Sequence, residues 1–234
     1  MQKVLSTIMI FLGLSFNLAI ADETKATQSQ ISSKISPIKN KNPIIKVAAS
    51  AEDETFMERV DAIEVGVNSK QVRAKKFGED EYEISYPAAT ASPKNAIGIP
   101  YGKVGEVWKI VLNPTWTPPE SIHKEYAAKG KKLAKIILPD KSNPLGKVKL
   151  FIAYGKNNST LGLHNTNEPD SIGKRVTHGC TRLGEDDAYE LARIILEQNG
   201  HDADALFEKA NANPKKSIHI ILKDKPKIAY LKNQ

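Results

Sequence analysis

The chain has 234 residues, 40% of them hydrophobic, with a formal charge of +7 and one cysteine. A single cysteine excludes an internal disulfide, and the length suits one substantial domain plus accessories. The basic excess is compatible with an anionic partner such as a wall polymer. With no Arg-rich helix and no basic stretch interleaved with aromatics, however, the chain does not read as a nucleic-acid binder.

Residues 1–21 carry one positive charge, Lys3, then an apolar run through Ile8-Met9-Ile10-Phe11-Leu12, closing on Ala19-Ile20-Ala21. That order of charge, apolar run and small-x-small end reads as a secretory signal peptide. Cleavage before Asp22 would lower the charge to +6, because Lys3 is the leader's only charged side chain. No later segment is apolar enough to span a bilayer. Residues 22–55, rich in Ser, Lys, Asn and Gln without apolar periodicity, read as a flexible linker. Residues 56–234 are expected to form the folded domain, in the periplasm or cell-wall space.

From Val60 the pattern alternates: Ala62–Val67, a turn at Asn68-Ser69, Gln71–Lys75, then Glu81–Tyr86. This predicts a meander of short strands. Pro87 to Gly105 reads as loop, and Val107–Leu112 as a strand stopped by Pro114, Pro118 and Pro119. Ser121–Lys129 suits a short helix with Ser121 as cap and Gly130 as stop. Asn143–Gly146 reads as a turn and Lys147–Tyr154 as a strand. The clearest helix follows Glu185-Asp186-Asp187, with Ala188, Leu191, Ala192 and Ile195 at helical spacing and Asn199-Gly200 as its end. Asp202 caps a second helix to about Ala210, and Ser217–Leu222 reads as the last strand. The fold class expected is mainly β (α+β), with one prominent helix after the cysteine.

The chemistry concentrates in Val176-Thr177-His178-Gly179-Cys180-Thr181-Arg182-Leu183. An unpaired cysteine in an exported chain is either intermolecular or a reactive thiol, and a histidine close by is a common means of activating one. Gly179 allows a tight turn that presents Cys180 with backbone N–H groups beside it, able to hold an oxyanion. His178 is too near in sequence to be assumed the base. His164, in a separate segment, can face the sulfur across a sheet, so His164 is read as base and His178 as support for loop geometry and charge. A zinc triad of His164, His178 and Cys180 would lack a fourth ligand, so neither metal nor cofactor is expected.

The stretch His164-Asn165-Thr166-Asn167-Glu168-Pro169-Asp170-Ser171-Ile172-Gly173, followed by Thr177-His178-Gly179-Cys180-Thr181-Arg182-Leu183, resembles the signature of the YkuD-type L,D-transpeptidases. Asn113–Pro119 and Asn143–Gly146 extend the resemblance toward the ErfK/YbiS-like branch. It implies a β-sandwich or barrel catalytic domain working on peptidoglycan. In that family a cysteine attacks the bond after the third stem residue, usually diaminopimelate, of a tetrapeptide, and the terminal D-Ala leaves. An amine then resolves the acyl-enzyme, giving a 3–3 crosslink or a link to a wall-anchored lipoprotein. Carbapenems typically acylate such enzymes. By the same resemblance Cys180 is the nucleophile, His164 the base, and the Gly179 and Cys180 amides the oxyanion donors. Candidates for lining the peptide groove are Arg182, Thr177, Ser171, Asn167, Asn165 and Tyr154; Arg182 alternatively pairs with an acid such as Glu185.

Two departures concern the site itself. Asn165 stands where the family usually has Gly, a position expected to need a residue that tolerates left-handed backbone. Thr181 places a hydroxyl where the family packs an aliphatic side chain. An L,D-carboxypeptidase, a lipoprotein-releasing amidase and a non-catalytic wall-binding protein are the competing readings.

Overall fold

Alternation of apolar and polar residues builds most of the observed structure, a computed structural model that describes residues 58–78 and 81–233. The expected leader and linker, 1–21 and 22–55, lie outside the described residues. Ten strands form one sheet: β1 Ala62–Gly66, β2 Gln71–Lys76, β3 Tyr82–Ala91, β4 Val104–Leu112, β5 Val148–Tyr154, β6 Asn157–Asn165, β7 Arg175–Thr177, β8 Thr181–Leu183, β9 Ile218–Ile221 and β10 Lys227–Leu231. Among the described residues three helices join them: α1 Glu120–Ala128, α2 Glu185–Gln198 and α3 Ala203–Ala212. Among the described residues no helix is long and apolar enough to cross a membrane.

The strands run β10-β1-β2-β3-β8-β6-β5-β4, and β10 pairs again with β4, so this path closes into a barrel. β10 and β9 share the outer edge of β4: β10 takes Val104–Glu106 and β9 takes Lys109–Leu112. β7 lies off the ring, parallel to the end of β3. Period-2 alternation puts Ile63, Val65, Ile110, Leu112, Leu150, Ile152, Leu163, Leu183 and Tyr230 in the core, each at most 1% exposed. Burying each aliphatic side chain of this set contributes about 1.5–3 kcal/mol. The apolar stripe of α2, made by Ala188, Leu191, Ala192 and Ile195, is fully buried, and the helix packs on β5 and β6.

The sequence reading departs from the structure at three places. β3 does not stop at Tyr86 but continues through Pro87 to Ala91. The Ala88 N–H bonds Lys70 O on the β2 side, so the missing N–H of Pro87 faces the other way. There the β8 ladder begins only at Ala88, so the proline removes no rung. The first turn of α1 is preceded by Pro119 rather than capped by Ser121. The last strand is β10 rather than β9: Ile228 and Tyr230 alternate inward between β1 and β4.

The two Asn-Pro segments anchor long connections. Asn113 has φ of +50°, a conformation that Asn accepts better than most residues, and its amide donates to Ala210 O at the end of α3. Asn143 is completely buried; its amide donates to Pro114 O at 2.8 Å and its carbonyl accepts from Leu145 N.

Candidate active site

The signature segment is the return path between two parallel neighbours. From the end of β6 the chain makes a short turn at Pro169–Ser171, adds β7 beside β3, and turns at His178-Gly179 into β8. β8 then lies parallel to β6 with Leu163 opposite Thr181 and His164 opposite Arg182. This register sets Cys180, one residue before β8, beside the middle of β6 while His164 lies one rung further along.

Cys180 is partly exposed, and its thiol points at Thr160 O, 3.6 Å away. The loop that holds it is tied internally. Thr177 Oγ1 donates to Cys180 O at 2.6 Å and accepts from Gly179 N at 3.2 Å. Gly179 has φ of +136°, a region costly to any residue with a Cβ, and a Cβ there would come 2.9 Å from Leu161 Cδ2.

His164 is 4% exposed, and its Nδ1 lies 2.7 Å from Asn165 O. A backbone carbonyl can only accept, so Nδ1 carries the hydrogen and Nε2 keeps its lone pair. Burial pulls the His164 pKa down to about 3; the bond to Asn165 opposes this, while the cations Lys149 and Arg182 reinforce it. The ring is therefore neutral at physiological pH. No hydrogen bond joins it to the Cys180 sulfur among the described residues.

A stability consequence follows from that burial. The unfolded chain binds a proton at His164 below about pH 6.5, whereas the folded chain does not until about pH 3. Stability is thus greatest above 6.5 and falls as pH drops through this window. Between pH 7 and pH 5 the loss from this one group is about 2 kcal/mol. Urea unfolding of wild type and His164→Gln at both pH values measures it: the wild type should lose that much more than the variant, and equal losses would refute a buried neutral ring.

His178 is turned outward, its Nε2 2.9 Å from Glu125 Oε2 on α1. The contact holds the Glu125 carboxyl below its ordinary range, mainly through this hydrogen bond. Glu125 was not visible as a site residue in the sequence, because nothing local marks a helix surface acid as the partner of a loop 53 residues away.

The remaining candidates are distributed as follows. Arg182 pairs with Glu168, not with Glu185, whose partner is Lys147. Ser171 Oγ donates to Glu168 O at 2.7 Å, and the exposed Asn167 amide reaches Lys141 O at 3.3 Å. Tyr154 ends β5 with its ring against Gly105, where a Cβ would be 2.9 Å from Cε1. Asn165 is not in left-handed backbone; it closes β6 in ordinary geometry. Its side-chain carbonyl accepts from Lys147 N at 2.7 Å and Val148 N at 2.8 Å, and its amide group fills the space a Cβ at Gly146 would take. The departure at Asn165 is therefore a clasp between β6 and the start of β5. Thr181, the other departure, is buried, and among the described residues neither its hydroxyl nor that of the buried Tyr230 has a partner in hydrogen-bonding geometry. The two hydroxyls lie close enough to interact, with burial dominating the upward push on the Tyr230 phenol.

A family model described as the L,D-transpeptidase catalytic domain, YkuD, matches residues 63–213. The chain is 39% identical over 74 residues to the protein named "Probable L,D-transpeptidase YbiS" of Escherichia coli K12, covering 32% of this chain and 22% of that one. It is 41% identical over 80 residues to "Probable L,D-transpeptidase YcfS" of the same organism, covering 34% and 24% respectively. The matches thus span less than a quarter of either relative's length. Among solved structures, L,D-transpeptidase 3 from Mycobacterium tuberculosis aligns with a TM-score of 0.38 and 12% identity, over 72% of this chain and 60% of that one.

Proposed function

The chain belongs to the YkuD family of L,D-transpeptidase catalytic domains, and from that premise we propose that it is a peptidoglycan L,D-transpeptidase with Cys180 as nucleophile. The observation that carries the reading is His164: a neutral imidazole whose Nδ1–H is spent on Asn165 O, leaving Nε2 as acceptor one rung from the only thiol.

In the proposed reaction a tetrapeptide stem lies over the mouth of the Cys180 loop. A rotation about the Cys180 side chain brings the thiol from Thr160 O toward Nε2. The sulfur attacks the carbonyl carbon of the third stem residue while its proton passes to Nε2. The oxyanion is assigned first to Cys180 N–H, since the Gly179 N–H is already engaged by Thr177 Oγ1. Collapse breaks the C–N bond, and the departing D-Ala amine takes the proton from His164. An acceptor amine then attacks the thioester, gives up its proton to His164, and returns the thiol. His178 and Glu125 brace the loop against α1. The acceptor is a second stem, giving a 3–3 crosslink, or a lysine of a wall-anchored lipoprotein.

The reading extends to the whole chain: residues 1–21 direct export, 22–55 tether, and 56–234 act in the periplasm or wall space without metal or cofactor. Purified protein incubated with defined tetrapeptide muropeptides tests it. Crosslinked dimers with release of D-Ala are expected. Tripeptides alone would make the protein an L,D-carboxypeptidase, and no change in the muropeptides would sink the enzymatic reading.

A further inference from the structure

Across the outer face of β4, β5 and β6 the registers align two rungs. One carries Val111, Lys149 and His164; the next carries Lys109, Phe151 and Gly162. Extended by one residue, the β6–β8 register sets Cys180 beside Gly162. The Lys109 ammonium sits 4.2 Å from the centroid of the Phe151 ring, and the Lys149 ammonium 4.7 Å from the same centroid. Lys109 is also 4.6 Å from the Trp108 ring. Two cations thus share one aromatic ring, and among the described residues neither has an acid or a hydrogen-bond acceptor as partner.

Lys149 is 9% exposed. Lysine is almost never that buried without a counter-charge, and a ring face replaces only part of the lost hydration. The mutual repulsion adds to the cost: burial, then Lys149, lowers the Lys109 pKa. Lys109 and Phe151 are only half-buried, so the rung opens outward. Gly162 is what brings Lys149 toward the nucleophile. A Cβ there would come 3.1 Å from Lys149 Cε and 2.6 Å from Leu150 O, so the lysine stem crosses the space that a side chain would fill.

We propose that Lys149, assisted by Lys109, binds the free carboxylate of the residue that departs from the peptide donor. The proposal deepens the transpeptidase reading and depends on it. The dimensions agree: Lys149 stands on β5, two strands from Cys180, but the end of its stem lies over Gly162, and neighbouring strands are about 4.8 Å apart, so that end is about one strand from Cys180. A carboxylate one residue beyond the attacked carbonyl is about 3.8 Å further along the chain. A charge-assisted hydrogen bond to Lys149 would supply the missing counter-charge. It would also offset one of the cations that disfavour a proton on His164, at the moment the base must accept one.

The test compares a donor tetrapeptide ending in a free carboxylate with the same peptide ending in a carboxamide. Acyl-enzyme formation is followed without any acceptor, so that effects confined to the acceptor step are excluded. Wild type should prefer the acid by about 10- to 100-fold in kcat/KM. Lys149→Met should reduce the preference to within about threefold. Lys149→Arg should retain most of it, and Lys109→Met, at the more exposed position, should lower it partly. A preference unchanged in both methionine variants, or an effect seen only when an acceptor is added, overturns the assignment while leaving the transpeptidase reading intact. Binding of both peptides to Cys180→Ser protein by calorimetry separates the two ideas. If wild type acylates with neither peptide, but Cys180→Ser binds the acid more tightly and loses that margin with Lys149→Met added, Lys149 binds a peptide carboxylate but the transpeptidase reading falls, and with it the assignment to a departing residue. Equal binding of acid and amide overturns the site.

Discussion

Replacing Cys180 by alanine is expected to reduce release of D-Ala from tetrapeptide stems by about four orders of magnitude or more, since loss of a nucleophile generally costs that much. No other thiol exists in the chain to take its place. The fold should survive the change. The side chain is partly exposed, and its one hydrogen-bond contact among the described residues is the 3.6 Å approach to Thr160 O, whereas the loop is held by Thr177 and by the φ of Gly179. Stability should therefore change by no more than about 1 kcal/mol. The check is D-Ala release by mass spectrometry alongside a thermal melt of both proteins. A variant that melts like wild type and still releases D-Ala at a comparable rate would remove Cys180 from the role of nucleophile.

The second large effect separates the histidines. His164→Ala should slow acylation by a carbapenem about 10²- to 10⁴-fold, because the variant has no positioned group to take the thiol proton. His178→Ala should cost less than about tenfold by the same measure, since its imidazole faces outward and serves as a brace. Glu125→Ala should reproduce the His178→Ala effect, having cut the same contact from the other side. Intact-protein mass spectrometry over time, with iodoacetamide alkylation of Cys180 as a second probe, supplies the rates. An inert His178→Ala beside a normally acylating His164→Ala would reverse the two roles.

The legible parts of this molecule were those written locally. Asp202 as a cap, Asn199-Gly200 as a stop and the alternation in β1, β2 and β5 each depend on neighbours a few residues away, and the helices and strands they announce are present. The thiol, its glycine and the two histidines also stood out, because those residue types at that spacing have few uses. What could not be read depends on partners brought from afar. Pro87 is harmless only because β8 begins its ladder one residue later, and β10 is a strand because β1 and β4 both offer it an edge. Glu125 meets His178, and Glu168 rather than Glu185 meets Arg182, through loop paths that no periodicity encodes. Asn165 is the instructive case. The residue was conspicuous, but the reason offered for it was backbone freedom, whereas its amide is a clasp onto Lys147, Val148 and Gly146.

The closure of the ring by β10 also has a consequence in time. Ala62 finds its outer partner only when Lys227 arrives, and the same short strand must seat on Val104–Glu106. Until then β1 and the first part of β4 present two raw margins, each a template for the wrong chain. Such distant pairing makes assembly slow, since a large loop must be closed before any reward is collected. Strand β10 thus works like a zip's end-stop, converting an open curved sheet into a cylinder.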